Sequence, residues 1–378
     1  MKQVIVLGAG MVGRTIARDL ARDFEVTVAD ASDAALASLA SEPGITTTKR
    51  DLSSLEELAR VVAPYDLVVG ALPSAMGFQT LRAVIEAKKP LCDISFMGQD
   101  PLALDALARE RGVCVVVDCG VGPGLTSLLV GLSTTRLAET RSIEVLIGGV
   151  PALRRWPFEY KVGFAPEDVL EEYTRPARFV REGKAVTLPA LTDVELVDVD
   201  GVGTLEAFNT DGLRTLLTTM RAVPNMVEKT MRWPGHAALM RVLREAGYFG
   251  SEPVDARGTK VRPIDLSAAL LFPMWRYEEG EADLTVARVR VEGLDAGVLT
   301  RHEWVLVDRY DDATRTTSMS RTTAFPAAIM TRFMAAGRFA QPGVHAPESA
   351  GREPGVTEAM LAELEARGVH VRGRVERL

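Results

Sequence analysis

The first 125 residues alternate between short apolar runs and amphipathic segments. Apolar runs such as VIVLGAG (Val4–Gly10), DLVVGAL (Asp66–Leu72) and VCVVVDCG (Val113–Gly120) predict buried strands. The segments between them, for example Leu52–Val62 and Ser74–Lys88, have the spacing of helices. Strands that alternate with helices predict βαβ units, and therefore a parallel, Rossmann-type sheet with helices on both faces.

The pattern changes after Gly124, where runs of period two become common. Alternating polar and apolar positions in Leu284–Gly293, Arg301–Asp308 and Thr314–Thr323 predict an antiparallel meander. Helical spacing then returns from about Pro326 onwards. We therefore predict an α/β protein with a Rossmann-type domain over residues 1–124, joined by C-terminal helices in 325–378. A second domain of the α+β class, with a mixed or antiparallel sheet, is predicted over residues 125–324.

The first thirty residues carry the most specific chemistry in the chain. The spacing Gly8-x-Gly10-x-x-Gly13 lies between an apolar run and a helical segment, and Asp30 closes the next apolar run. In such a unit the glycines permit a tight turn, a close approach to pyrophosphate and helix packing on the strand. The helix N-terminus favours the anionic pyrophosphate, and the carboxylate accepts hydrogen bonds from the adenosine ribose. A Rossmann-type domain whose site is empty is the alternative.

Asp30 also favours NAD over NADP, because a 2′-phosphate would meet its negative charge and Ala31, Ser32 and Asp33 offer no cation. Ligands of parallel sheets bind beyond the carboxyl ends of the strands, which extends the predicted site to the residues that follow each apolar run. The predicted NAD-binding residues are Gly8, Gly10, Met11, Val12, Gly13, Asp30, Ala31, Asp51, Leu52, Ala71, Leu72, Pro73, Asp118, Gly120 and Val121.

Composition narrows the class of protein. The content of 47% hydrophobic and 25% charged residues is ordinary for a globular protein, and the net charge of −7 argues against nucleic acid or an anionic membrane as partner. No apolar run is long enough to cross a bilayer, and the N-terminus lacks a signal-peptide layout, so we expect a cytoplasmic protein. The three cysteines and four histidines have no ligand spacing, so no metal site is predicted.

Two segments beyond the dinucleotide motif could carry chemistry. DCGVGPG (Asp118–Gly124) is rich in turn-forming residues, and an interdomain hinge is the alternative to a cofactor contact. In EKTMRWPGH, Arg232 could bind a substrate carboxylate or pair with a structural one, and His236 could move a proton or serve as a helix cap or core residue. Tyr160 and Glu206 are further polar candidates, and a buried Glu206 could act as a general base.

With these motifs together, the chain resembles the saccharopine dehydrogenase family over nearly its whole length, and within it the lysine 6-dehydrogenases of bacteria and archaea. The resemblance rests on the following strings: GAGMVG with Asp30, DCGVGPG, GGVPALRRWPFEYKVGFAPEDVLEEY (Gly148–Tyr173), GTLEAFNTDG, KTMRWPGH, SRTTAFPAA and GVHAPE. It implies a Rossmann domain, a second domain whose mixed sheet often forms a dimer interface, and oxidation of a C–N bond at a nicotinamide cofactor. The implied reaction is NAD-dependent deamination of L-lysine to allysine and ammonia.

The same resemblance implies roles for individual residues. Arg232 would face a substrate carboxylate, and Asp93, Cys119 and Tyr160 would line the reaction site. Glu206 and His236 lie in matching motifs and complete the set of candidate catalytic residues.

The chain departs from the lysine dehydrogenases in two places. Residues 93–96 (DISF) stand where these enzymes tend to have D-L-G-G, and residues 210–213 (TDGL) stand where they have a stretch such as T-S-G-G. A secondary amine such as saccharopine or carboxynorspermidine is therefore an alternative substrate, although those reductases often use NADPH. A non-catalytic NAD(H)-binding sensor is the alternative of another class.

Overall fold

A computed structural model describes all 378 residues of the chain. The strands, numbered in chain order, are β1 Gln3–Leu7, β2 Glu25–Asp30, β3 Ile45–Lys49, β4 Leu67–Gly70, β5 Leu91–Asp93, β6 Cys114–Val116, β7 Glu139–Pro151, β8 Ala177–Arg181, β9 Lys184–Leu188, β10 Glu195–Val199, β11 Gly203–Asn209, β12 Asn225–Arg232, β13 Val254–Ala256, β14 Thr259–Val261, β15 Asp283–Asp295, β16 Val298–Arg309, β17 Gly343–His345 and β18 Val371–Arg377. The helices are α1 Met11–Leu20, α2 Asp33–Ala37, α3 Leu55–Val62, α4 Ser74–Glu86, α5 Asp105–Arg111, α6 Leu125–Thr135, α7 Pro166–Thr174, α8 Leu216–Thr219, α9 His236–Glu245, α10 Pro263–Trp275, α11 Ser318–Ala335, α12 Pro347–Arg352 and α13 Val356–Glu365, with a 3-10 helix over Pro101–Leu104. None of the helices combines the length and the apolar character needed to cross a membrane.

The chain divides into two compact units. The first unit comprises residues 1–138, 214–219 and 320–371, and the second comprises 139–213, 220–319 and 372–378. Helix α6, which the sequence places at the start of the second domain, belongs to the first unit, where it packs against α12. The last seven residues belong to the second unit because β18 pairs with β16 in its sheet.

The first unit is built on a parallel sheet of seven strands in the order β17-β6-β5-β4-β1-β2-β3. Four of the five residues of β1 and all four of β4 are buried, as expected for strands covered by helices on both faces. This confirms the predicted parallel, Rossmann-type sheet. Strand β17, which pairs with β6, was not predicted, because three residues are too few to show a hydrophobic periodicity.

The second unit contains a mixed sheet whose main order is β10-β11-β12-β7-β15-β16-β18. Strands β12 and β7 run parallel, whereas β7 with β15 and β15 with β16 run antiparallel. An apolar cluster that includes Leu146, Met231 and Val286 lies on the sheet. A separate cluster around Tyr173 and Trp275 includes residues of α7, α9 and α10.

The prediction of a strand over Thr314–Thr323 is wrong, because α11 begins within this segment at Ser318. The carboxylate of Asp283 accepts hydrogen bonds from the backbone N–H groups of Ser318 (2.6 Å) and Met319 (2.9 Å). A side chain 35 residues away thus satisfies the unpaired donors at the start of this helix. Because the residue that caps α11 is distant in the chain, the local sequence contains no signal for the start of a helix. The alternation of threonine, serine and arginine therefore predicted a strand.

Candidate functional site

The turn between β1 and α1 brings backbone groups of the first unit into close contact. Gly8 has φ +105°, and a Cβ atom there would lie 2.3 Å from the carbonyl oxygen of Ala71. A Cβ atom on Gly13 would lie 2.1 Å from the Gly8 oxygen. At Gly10, the N-cap of α1, a Cβ atom would meet no protein atom within 4 Å, and no side chain caps the helix. Two glycines therefore permit the turn, and the third leaves open space at a helix N-terminus, which fits a pyrophosphate.

Asp30 is held in a fixed orientation at the end of β2. Its Oδ2 accepts a hydrogen bond from the N–H of Ala9 (2.7 Å), and its Oδ1 accepts one from the N–H of Ser32 (2.8 Å). The paired strand β3 places Lys49 opposite Asp30, a cation that the sequence did not associate with this site. Lys49, however, forms an ion pair with Asp33.

The other predicted cofactor residues also lie at the carboxyl edge of the parallel sheet or in the first turn of α1. Ala71 follows β4 and donates its N–H to the Leu7 oxygen (2.8 Å), so these strand ends are directly linked. The residues so placed are Met11, Val12, Ala31, Asp51, Leu52, Leu72, Pro73, Gly120 and Val121. The structure thus brings the predicted set to the edge where ligands of open parallel sheets bind.

Asp93 is the last residue of β5, Cys119 lies three residues after β6, and the two are neighbours. The Cys119 N–H donates to the Asp93 carbonyl oxygen (2.9 Å), and both residues are buried. Ser95, part of the first departure from the lysine dehydrogenases, donates its N–H to Asp93 Oδ1 (2.8 Å) and its hydroxyl to the Leu72 oxygen (3.1 Å). Burial raises the pKa of Asp93 to about 7, with a further contribution from the neighbouring charge of Asp118. Its carboxyl group can therefore gain or lose a proton near neutral pH.

Asp118, a predicted cofactor residue, forms a buried ion pair that the sequence did not reveal. Arg214 contacts both carboxylate oxygens, at 3.0 Å through Nη2 and at 3.3 Å through Nε. The exposed fraction of the side chain is 3% for Arg214 and 0% for Asp118. The guanidinium also bonds to the Met97 oxygen and lies over the ring of Phe96, 4.9 Å from its centre. The Asp118 carboxylate thus has a partner within the protein, from a residue 96 positions away in the chain.

In the second unit, three candidate catalytic residues lie together. The guanidinium of Arg232 is 4.7 Å from the centre of the Tyr160 ring, which is 4.8 Å from the centre of the His236 ring. Arg232 donates to Oε2 of Glu172 through Nη2 (2.9 Å) and to the Met231 oxygen through Nη1 (2.9 Å). Its Nε is buried without a hydrogen-bond partner. Arg232 is therefore paired with a protein carboxylate, as the alternative interpretation expected, and keeps one donor free.

His236 has both ring nitrogens engaged inside the second unit. Nδ1 lies 3.0 Å from the carbonyl oxygen of Phe158, which can only accept, so Nδ1 carries the hydrogen. Nε2 then accepts from the hydroxyl of Tyr173 (2.8 Å). Burial, together with the charge of Arg232, lowers the pKa of His236 to about 3. These contacts correspond to the core-residue interpretation of this histidine.

Glu206 lies on β11, where both of its carboxylate oxygens accept backbone hydrogen bonds. Oε2 accepts from the N–H of Gly235 (2.9 Å), and Oε1 accepts from the N–H of Ala237 (2.5 Å). Because these donors belong to the start of α9, Glu206 neutralises unpaired N–H groups of that helix. Glu206 therefore caps the N-terminus of α9 and links this helix to β11.

The polar residues that surround Arg232 were not predicted from the sequence. Glu228 and Thr230 precede Arg232 at intervals of two on β12, so the three side chains share one face of the strand, and all are buried. Polar residues at period two within a buried strand are the signal that could have indicated them. Thr230 bonds to Glu172, and Thr210 bonds to both Thr230 and Glu228.

The second departure from the lysine dehydrogenases has a structural explanation at Asp211. Its carboxylate accepts two hydrogen bonds of 2.8 Å from Nε and Nη2 of Arg178. Leu213, at the end of the same stretch, is 1% exposed. These two side chains therefore have partners within the second unit.

Two family models match the chain. The model described as the saccharopine dehydrogenase NADP binding domain matches residues 4–116. The model described as the saccharopine dehydrogenase C-terminal domain matches residues 120–369. Together they match residues in both of the units.

Curated relatives and solved structures agree with these matches. The saccharopine dehydrogenase of Saccharomyces cerevisiae, named as NADP(+)-dependent and L-glutamate-forming, is 23% identical and the match covers 96% of each chain. The mitochondrial alpha-aminoadipic semialdehyde synthase of Bos taurus is 25% identical over 80% of this chain, which spans about a third (35%) of that relative. The structure of the apo saccharopine dehydrogenase (L-Glu forming) from S. cerevisiae is 20% identical and has a TM-score of 0.80, with 100% of both chains covered. That structure shares the fold.

Proposed function

The chain belongs to the saccharopine dehydrogenase family of oxidoreductases that act on amino-acid amines, and from this premise we propose that it oxidises a side-chain amine with NAD, with L-lysine as substrate. In the proposed reaction, lysine, NAD⁺ and water yield allysine, ammonium, NADH and a proton. The proposal includes a homodimer, as in the family resemblance, and a cytoplasmic location stays a prediction.

The unpaired Nε of Arg232 is the observation that carries the substrate proposal. A buried donor without a partner is costly, and a bound acceptor would remove that cost. A guanidinium suits a carboxylate, which every amino-acid substrate carries. Tyr160 and Glu172 beside it supply an aromatic wall and a negative charge, and the latter favours an ammonium group.

The surroundings of Asp30 support NAD as cofactor. Its carboxylate would repel a 2′-phosphate, and the cations on the neighbouring strand end, Lys49 and Arg50, have Asp33 and Glu57 as partners. The name of the matching domain family and the name of the yeast relative both refer to NADP. The choice between NAD and NADP is therefore tested directly, by the Asp30 variant below.

The residues present fit the dinucleotide that the family implies. The open space at Gly10 and the N-terminus of α1 would receive the pyrophosphate, and Asp30 would bind the ribose. When bound, the nicotinamide supplies the hydride acceptor. Asp93 and Cys119 lie at the ends of β5 and β6, on the same edge of the sheet, where Asp93 can exchange a proton near neutral pH.

Saccharopine is the second candidate substrate, because the yeast saccharopine dehydrogenase matches 96% of this chain. Its oxidation would release an amino acid in place of ammonium. We propose lysine as the first candidate because the motifs resemble those of lysine dehydrogenases and because Asp30 favours NAD. The products of the two reactions distinguish the two candidates.

The test is NADH formation by the purified protein with NAD⁺ and lysine, ornithine, saccharopine or related diamines at alkaline pH. The proposal expects NADH and ammonium with lysine. Glutamate released from saccharopine, with no turnover of lysine, would replace it by the second candidate. Binding of NAD without turnover of any amine would contradict both and support a sensor.

Replacing Asp30 tests the cofactor. Asp30→Ala removes the charge that would repel a 2′-phosphate, so we expect the ratio of kcat/KM for NAD to that for NADP to fall by about tenfold or more, equivalent to about 1.4 kcal/mol. Glu25→Ala, which removes an exposed carboxylate at the opposite end of β2, is the matched control. An unchanged ratio in Asp30→Ala would show that this carboxylate does not select the cofactor.

A further inference from the structure

A continuous row of hydrogen bonds joins two carboxyl groups inside the second unit. Thr210 Oγ1 lies 2.7 Å from Oε2 of Glu228 and 2.8 Å from Oγ1 of Thr230. Thr230 Oγ1 lies 2.8 Å from Oε1 of Glu172. We call Glu228, Thr210, Thr230 and Glu172 the carboxyl row. It ends beside Arg232, since the other oxygen of Glu172 accepts from Nη2 of that residue (2.9 Å).

The number of protons in the carboxyl row follows from its chemistry. Three oxygen–oxygen contacts of hydrogen-bond length each need one hydrogen, but two threonine hydroxyls supply only two. The third hydrogen must belong to one of the two carboxyl groups. With it in place, all hydrogen bonds of the row point in one direction, from the protonated carboxyl to the ionised one.

Burial places this proton on Glu228. Glu228 is 5% exposed and has no cation as a partner, whereas Glu172 is 19% exposed at its side chain and pairs with Arg232. Burial raises the pKa of Glu228 to about 8, and the charges of Glu172 and Asp211 contribute. Asp211 itself is paired with Arg178 on β8. The resting row is therefore Glu228–H, Thr210, Thr230, Glu172⁻.

We propose that the carboxyl row makes Glu172 the acid–base residue for the substrate amine, with Glu228, Thr210 and Thr230 as positioning residues that set its protonation. This inference rests on the proposed oxidation of an amine. An N–H bond of the substrate ammonium breaks, its electron pair stays on nitrogen, and an O–H bond forms on Glu172. The carbon bonded to this nitrogen can release hydride only from the free amine, because the electron pair on nitrogen must be available.

The same row serves the opposite direction of the reaction. If all of its hydrogens shift by one position, the proton leaves Glu228 and appears on Glu172, and the hydrogen bonds reverse without a gain or loss of protons. Glu172 can thus be base or acid, as microscopic reversibility requires of the group that handles the amine proton.

Thr230→Val tests the carboxyl row, because it removes the central hydroxyl while keeping a β-branched side chain that suits a strand. We expect the acid limb of the kcat–pH profile for amine oxidation to move to higher pH, because Glu172 loses a hydrogen bond to its ionised form. Thr230→Ser keeps the hydroxyl and is expected to keep the wild-type profile. For Glu172→Gln we expect kcat to fall by about a hundredfold or more.

A wild-type profile in Thr230→Val would overturn the proposal. An equal shift in Thr230→Ser would also overturn it, since packing and not the hydroxyl would then be the cause. The KM for NAD serves as the check for misfolding and is expected to stay unchanged in all three variants.

Infrared difference spectroscopy tests the shared proton independently of turnover. Wild-type protein at neutral pH is expected to show a protonated carboxyl band that Glu228→Gln lacks. The spectrum of Glu228→Gln is subtracted from that of the wild type because other carboxyl groups can also carry a proton. Burial raises the pKa of Asp93 to about 7 and that of Asp283 to about 6. If the band of Glu228 is absent, Glu228 is not protonated and the proposal is overturned, even if lysine is oxidised. If no amine is oxidised but the band is present, the proposed function fails while the shared proton stands.

Discussion

Glu228 shows how the surroundings of a residue change its acid–base behaviour. The same carboxyl group that would be ionised on a protein surface is buried here against the hydroxyl of Thr210 and the N–H of Gly212 (3.1 Å). Burial penalises the charged form and raises its pKa. The neutral form then becomes part of a hydrogen-bonded network, which is the condition for burying a polar group without a large cost.

This raised pKa predicts a pH-dependent stability. In the folded chain Glu228 keeps its proton up to about pH 8, whereas the unfolded chain releases it above the ordinary value of 4.5. Between these values the folded state binds more protons, so the free energy of unfolding of the wild type falls as pH rises. Glu228→Gln lacks this titration and is expected to lose less stability over the same window. Urea unfolding at a series of pH values measures the difference, and parallel curves would contradict the prediction.

The Asp118–Arg214 pair predicts a large cost for losing one partner. Arg214→Met leaves the buried carboxylate of Asp118 without its cation, so we expect the free energy of unfolding to fall by about 3–5 kcal/mol. Arg109→Met, which breaks a pair with Asp105 at a 61% exposed arginine, is expected to cost much less, because solvent screens an exposed ion pair. Adding Asp118→Asn to Arg214→Met should recover part of the loss. Equal losses in the two single variants would show that burial does not matter here.

At the scale of elements, the β1–α1 turn separates folding from ligand binding. Gly13 is needed because a Cβ atom there would collide with the Gly8 oxygen, and the helix would have to shift. Gly10 has no such neighbour, and its φ of −63° suits any residue. The space beside Gly10 is therefore available to a ligand, not filled by the protein.

Two alanine substitutions in this turn test the distinction. Gly13→Ala is expected to lower both the thermal midpoint and the affinity for NAD. Gly10→Ala should weaken NAD binding by about tenfold, equivalent to about 1.4 kcal/mol, with a thermal midpoint near that of the wild type. Calorimetry and a binding titration report the two effects separately. A Gly10→Ala variant with unchanged affinity would remove the pyrophosphate from this position.

For the whole molecule, the dinucleotide is expected to act as a stabilising ligand. A ligand that binds only the folded chain raises the free energy of unfolding, by about 2.7 kcal/mol when it is present at a hundred times its Kd. We expect NAD to give this increase in thermal unfolding, and NADP at the same concentration to give a smaller one. Equal stabilisation by both would contradict the role assigned to Asp30. Because the measurement needs no substrate, it tests the cofactor apart from the reaction.

The sequence by itself determined the parallel sheet, the mixed second sheet, the dinucleotide motif and the family. Each of these is encoded locally: buried strands are apolar along their length, and Gly8, Gly10, Gly13 and Asp30 lie within one βαβ unit. Residues close in the chain are held at nearly fixed distances by the elements they form. Their joint function can therefore be inferred without the rest of the fold.

Only the tertiary structure decided the partners of the charged and polar side chains. Arg214 meets Asp118 across 96 positions, Arg232 meets Glu172 across 60, and α11 is capped from Asp283 across 35. A sequence shows that these residues are polar, but the packing of distant elements fixes which of them pair and how deeply they are buried. Burial and pairing set the pKa values, and hence which carboxyl group holds a proton.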